Sequence, residues 1–237
     1  MTENELLDRL AQIDGVEKRL KETVGTLDDD DLGAPSLCEG WTRGHVIAHV
    51  ALNAHSIVNL FEWARTGVET PQYPGWDERA ADIERSSTLS VSEHLTALEF
   101  AAAAFRGAAD ALPLDRWDFP VKGIGGEPVP VAVYLVGRRR EVEVHHVDLV
   151  SGYGPDEWPE SFVIETLQGV PARLGPRVAR SFVVRASDLD RRWAIGEGEP
   201  NATIEGSGRA LLHWLLGRSD GGGLKADPEL PVLPSWG

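Results

Sequence analysis

Arg138 to Leu149 reads RRREVEVHHVDL, and as a helix this stretch carries charge on two opposite faces at once. Wound at about 3.6 residues per turn, Glu141, His145 and Asp148 fall on one stripe, while Arg139, Arg140, Glu143 and His146 fall around the far side. A surface helix needs one polar face only. Val142 and Leu149 flank the Glu141 stripe on one edge and Val144 on the other, so that stripe is the one expected to turn inward. An inward glutamate and histidine one turn apart need a proton, a counter-charge or a metal ion to offset their burial. The far side, including Glu143 and His146, is then expected to face solvent.

The same helical reading extends along the first two thirds of the chain. Leu6, Leu10, Ile13, Val16, Leu20 and Val24 recur at spacings of three and four, which predicts an amphipathic helix over residues 3–25. DDDDLGAPSLCEG stops it; the acidic run reads as a solvated connector and lacks the spacing of an EF-hand calcium loop. A second helix starts behind Thr42, a capping residue, and runs to about Ala64, with His49 on the face of Val46, Leu52, Ser56 and Leu60 and His45 at its edge. Cys38 and Trp41 read as packing residues at the mouth of this helix. Pro71, Pro74 and Gly75 interrupt the pattern before a short helical piece around Asp77–Arg85. A third long helix spans about Val91–Ala111, with His94 expected to be exposed in its first turn. The fourth occupies about Val129–Val150 and contains the opening motif. Four such helices joined by a long crossover read as a four-helix bundle.

SGYGPDEWPES marks a boundary, and the texture changes beyond it. A helix over about Ser161–Leu174 precedes three β-like runs, SFVVRAS, RRWAIGEG and ATIEGS, and a last helix, GRALLHWLLGR, capped by Ser207. The expected organisation is a four-helix metal-binding bundle over residues 1–151 and a small α+β domain over residues 160–237. At 237 residues, 42% apolar and 26% charged, the chain can bury two modest cores.

Composition narrows the partners. A formal net charge of −15 repels a phosphate backbone, so no nucleic acid is expected. No apolar run approaches the ~18 residues of a membrane span and the N-terminus lacks a signal-peptide core, so no membrane association and a cytoplasmic location are expected. Cys38 is the single cysteine; there is no internal disulfide, and further thiol chemistry needs a thiol from outside the chain.

If His49 meets Glu141 and His145 inside the bundle, two imidazoles and a carboxylate form an open zinc set, a trio that can also hold iron(II). The alternative is a solvated Glu–His pair beside an unrelated, hydrogen-bonded core histidine. No HExxH, GxSxG or Walker loop occurs, and GIGGEP does not match a dinucleotide fingerprint.

GWTRGHVIAHVALNA followed, about ninety residues on, by REVEVHHVDL resembles the mycothiol-dependent maleylpyruvate isomerase family. The resemblance covers almost the whole chain. It implies an N-terminal DinB-like four-helix bundle followed by a small sterol-carrier-like α+β domain, to which ALLHWLLGR belongs. It also implies a zinc ion on His49, Glu141 and His145, with His45, His146 and Asp148 outside the ligand set; Asp148 is then a candidate for support of a ligand or for an inter-helix contact. The implied reaction is the cis–trans isomerisation of maleylpyruvate to fumarylpyruvate in gentisate degradation, in which mycothiol adds as a thiolate, the single bond rotates, and the thiolate is eliminated. Zinc would deprotonate the thiol. The dicarboxylate substrate needs a cation, for which Arg218 at the end of the last helix is the candidate; a C-terminal arginine that only complements the helix dipole is the plainer role. Another mycothiol-dependent enzyme, such as an S-transferase, and a non-enzymatic metal- or small-ligand-binding module are the alternative functions.

Overall fold

The computed structural model describes residues 1–234; the last three residues of the expected second domain, Ser235 to Gly237, lie outside them. Two compact units result, Met1–Tyr153 and Gly154–Gly237.

The first unit is built on four long helices, α1 (Glu3–Val24), α2 (Arg43–Thr66), α4 (Val91–Ala111) and α5 (Val133–Asp148), with a short α3 (Trp76–Ser86) in the crossover. Local chemistry sets their starts. Thr2 Oγ1 accepts from the Glu5 amide while Glu5 Oε2 accepts from the Thr2 amide, closing a capping box. Thr42 caps α2, with the His45 ring returning the contact to the Thr42 amide at 3.3 Å. Gly67, with φ of 76°, ends α2 in the left-handed conformation that glycine adopts without penalty.

Packing runs in a closed ring, α1 against α5, α5 against α2, α2 against α4, and α4 against α1. Leu10, Ile13, Leu20, Ile47, Ile57, Phe61 and Phe105 fill its core. A Cβ on Gly44 would collide with the Ser87 carbonyl, so only glycine lets the start of α2 lie against the α3–α4 connection. Residues 129–130, expected in the fourth helix, instead form β2 (Val129–Pro130), paired antiparallel with β1 (Pro120–Val121). The proline explains this, since it removes a donor and disfavours helix at the residue before it.

Two expectations about exposure are corrected. His94 is fully buried in the first turn of α4, with the Ser87 backbone beside its ring. Glu143 and His146 are buried too, at 1% and 2% exposed, because the ring of helices places α5 between α1 and α2 and so covers the side of α5 on which they stand. Helical spacing separates two faces of α5; it does not say that both are covered.

The second unit carries α6 (Glu160–Leu174), α7 (Gly208–Leu215) and a four-stranded sheet in the order β4 (Arg191–Ile195), β3 (Phe182–Ala186), β5 (Thr203–Gly206), β6 (Lys225–Asp227). β3 pairs antiparallel with β4 and parallel with β5, and β6 joins the edge antiparallel to β5. Phe182, Val184 and Ala186 point into the core with the period-two alternation of a half-buried strand. Leu167, Val170, Ile204, Leu211 and Leu212 complete that core. β6 has no sequence signature: three residues on a sheet edge, Lys-Ala-Asp, show no apolar alternation. No helix among the described residues is long and apolar enough to cross a membrane.

Candidate metal centre

α2 and α5 pack side by side, and their facing surfaces bring His49, Glu141 and His145 together. His49 Nε2 lies 3.0 Å from Glu141 Oε2, and His145 Nε2 lies 3.5 Å from the same oxygen. The imidazole rings meet edge to face with centroids 4.7 Å apart, so each turns a nitrogen toward the carboxylate. The three donor atoms lie within 4.8 Å of one another. Ligands at about 2.0–2.1 Å around a tetrahedral ion stand about 3.3–3.4 Å apart, so this set needs only small shifts to enclose one.

A second layer holds His145. Asp148, wholly buried one turn on, places Oδ2 2.8 Å from His145 Nδ1. The Cys38 thiol lies 3.2 Å from the same oxygen, within range to donate to it, and 3.9 Å from His145 Nδ1. Cys38 reaches this point because its loop is tied to the end of α5 by the Leu37 amide, which donates to the Asp148 carbonyl at 3.0 Å. Cys38, His145 and Asp148 are themselves close enough to hold an ion.

Burial and charge set the protonation. Burial lowers the His49 pKa to about 4, against the opposing pull of Glu141, so the ring is neutral. Burial alone would raise Glu141, but its hydrogen bonds to His145 and His49 outweigh that and hold it well below the usual carboxylate range. Burial alone would lower His145; Asp148, Cys38 and Glu141 together raise it well above the ordinary imidazole value. A cation between the half-buried Glu141 and the buried Asp148 is what this pocket favours, and a metal ion meets the same demand.

Around the site, Trp41 lies against His49 with ring centroids 5.4 Å apart. His45 is engaged elsewhere, by Thr42 and by Glu84 at 3.0 Å. Arg79, on α3, donates from Nη2 toward His49 Nδ1 at 3.1 Å. Neither the Arg79 contact nor the hydrogen bond of Cys38 is legible in residue spacing, because both come from loops and crossovers that the tertiary fold closes over α2. Arg218 belongs to the second unit, where Nη1 donates to the Leu216 carbonyl at 2.8 Å just beyond α7.

A four-helix bundle with two histidines and a glutamate converging between adjacent helices defines a class, the helical bundles with a candidate metal site in the core. Residues 14–150 match the mycothiol maleylpyruvate isomerase N-terminal domain, and the chain belongs to that family. Over 100% of both chains it is similar to the crystal structure of a mycothiol-dependent maleylpyruvate isomerase, at 29% identity and a TM-score of 0.91. A histidine-to-alanine mutant of such an isomerase gives 28% identity, 100% of both chains and a TM-score of 0.90. No curated protein matches the sequence.

Proposed function

We propose that this protein is a mycothiol-dependent maleylpyruvate cis–trans isomerase, with His49, Glu141 and His145 holding zinc. The observation that carries this reading is the convergence of those three donors in a chain that follows an isomerase along its whole length. Zinc with an open coordination position would supply a thiolate at neutral pH by lowering the pKa of a bound thiol.

The chain's own residues do the rest. His49 and His145 each offer Nε2, and His145 keeps its proton on Nδ1, directed at Asp148, which fixes the tautomer and the ring orientation. Because the 2.8 Å separation is that of a hydrogen bond, Asp148 and Cys38 act as supports of His145 in this reading and not as ligands. Cys38 keeps a reduced thiol as a donor to Asp148, so the reacting thiol is the low-molecular-weight one. Arg218 is the proposed grip on a substrate carboxylate, against the unfavourable net charge of −15. A cytoplasmic location fits the single cysteine and the need for a reduced thiol.

Elemental analysis of the purified protein, followed by assay with mycothiol and maleylpyruvate, tests the reading. One zinc per chain and thiol-dependent loss of the cis isomer are expected. Activity confined to halogenated or epoxide electrophiles would replace it with a thiol transferase.

A further inference from the structure

Arg79, which touches His49 Nδ1, also lines a cavity of about 260 Å³ together with Leu52, Ser56, Asn59, Gln72 and Tyr73. Its walls carry hydroxyl and amide groups, and its one acid, Asp82, is taken by Arg85. Arg79 therefore sets the sign of its field. In a chain with 38 acidic residues, no carboxylate among the described residues pairs with this guanidinium. Its neighbours are the Tyr73 ring, 5.7 Å from Cζ to the centroid, the Trp76 ring at 6.0 Å, and His49 Nδ1. Stacking holds such a planar fork in place and leaves its N–H edge free for a planar anion.

The contact with His49 is chemically provisional. A guanidinium only donates, so His49 Nδ1 must accept, and the ring proton then sits on Nε2 facing Glu141. A metal on Nε2 needs that lone pair and puts the proton on Nδ1, where it would oppose the guanidinium, donor against donor. Loading the metal site thus removes the nitrogen partner of Arg79, while the aromatic contacts keep it at the cavity wall.

We propose that this cavity is a carboxylate subsite and that Arg79 receives the carboxylate of a short, unsaturated acid bound beside the metal centre. The volume, below the ~300–1,000 Å³ of pockets for drug-sized ligands, suits such an acid better than a sugar-conjugated thiol. The identity of the acid as a dicarboxylate rests on the isomerase reading; the anion site itself rests on the geometry of Arg79.

The test titrates maleate into zinc-loaded wild type, Arg79→Gln and Arg79→Lys by calorimetry, with zinc content measured for each. Arg79→Gln should weaken maleate about tenfold to a hundredfold, the worth of a charge-assisted hydrogen bond, with Arg79→Lys recovering part of the loss. Zinc content should equal that of wild type. In the maleylpyruvate assay, KM should rise by a similar factor and kcat should change far less. Maleate affinity and KM unchanged in Arg79→Gln would overturn the proposal, as would loss of zinc from that variant, which would make Arg79 a support of the metal ligands. The two readings fail separately. Arg79-dependent maleate binding without isomerisation by wild type would remove the isomerase and keep the subsite; isomerisation with an unaltered KM in Arg79→Gln would do the reverse.

Discussion

The two buried faces of α5 carry similar residues and have opposite properties. Toward α1, Glu143 accepts from the Tyr153 hydroxyl at 2.5 Å and from Arg19 at 3.2 Å, His146 meets Thr23 Oγ1 at 2.7 Å, and the His146 and Tyr153 rings stack 3.8 Å apart. Each of these groups is paired with a neighbour, so the face is closed around them. Arg138, at the start of the motif, is closed in the same way by Glu17, the Val50 carbonyl and Asn53. Toward α2, two imidazoles and a carboxylate aim at one point and, among the described residues, meet no guanidinium or ammonium there except Arg79, which touches His49 from behind. Buried polarity alone does not mark a site. What marks it is convergence of acceptors on a shared space, in contrast to pairwise satisfaction.

That contrast is open to direct attack. The largest effect is expected from His49→Ala, which should abolish stoichiometric zinc, read by elemental analysis, and with it isomerisation; full metal content would break the distinction between the faces. Next is acid sensitivity on the closed face. Burial lowers His146 to about 4 from 6.5, so the folded state holds it neutral. The stability this contributes is fully present above pH 6.5 and is lost as pH falls through about 4, roughly 3 kcal/mol in all at ~1.4 kcal/mol per unit. His146→Gln should flatten the urea-unfolding stability profile across that window without changing zinc content at neutral pH. A profile as steep as that of wild type would mean that the α1 face does not carry the titration.

Asp148→Asn should weaken zinc affinity by about 10- to 100-fold, because the carboxylate that orients His145 is lost while the ligands remain. Competition with a chromogenic chelator measures it, and an unchanged affinity would confine Asp148 to packing. The smallest effect is expected for Tyr153→Phe, which removes one donor to Glu143 and should cost about 1–2 kcal/mol in chemical denaturation with metal content intact. Zinc loss in that variant would show that the two faces are coupled through α5.

Much of this was legible in the residues. Spacing alone places Glu141 and His145 one turn apart on a stripe edged by valines and leucine, and puts His49 on the apolar side of its own helix. Thr42 and Ser207 announce helix starts because capping is a local interaction between a side chain and amides a few residues away. The alternation in Phe182–Ala186 announces β3 for a similar reason. β6 was silent, since an edge strand takes its partner from elsewhere in the chain.

The sequence by itself therefore determined the helices, their caps, the change of texture after residue 151 and the faces on which the charged residues stand, all consequences of periodicity and short-range hydrogen bonding. Only the tertiary structure decided that both faces of α5 are covered, that His94 is buried, that Cys38 reaches Asp148 and that Arg79 lies against His49. Those contacts join residues 30 to more than 100 positions apart, and their geometry depends on how helices and crossovers close over one another, which no local pattern encodes.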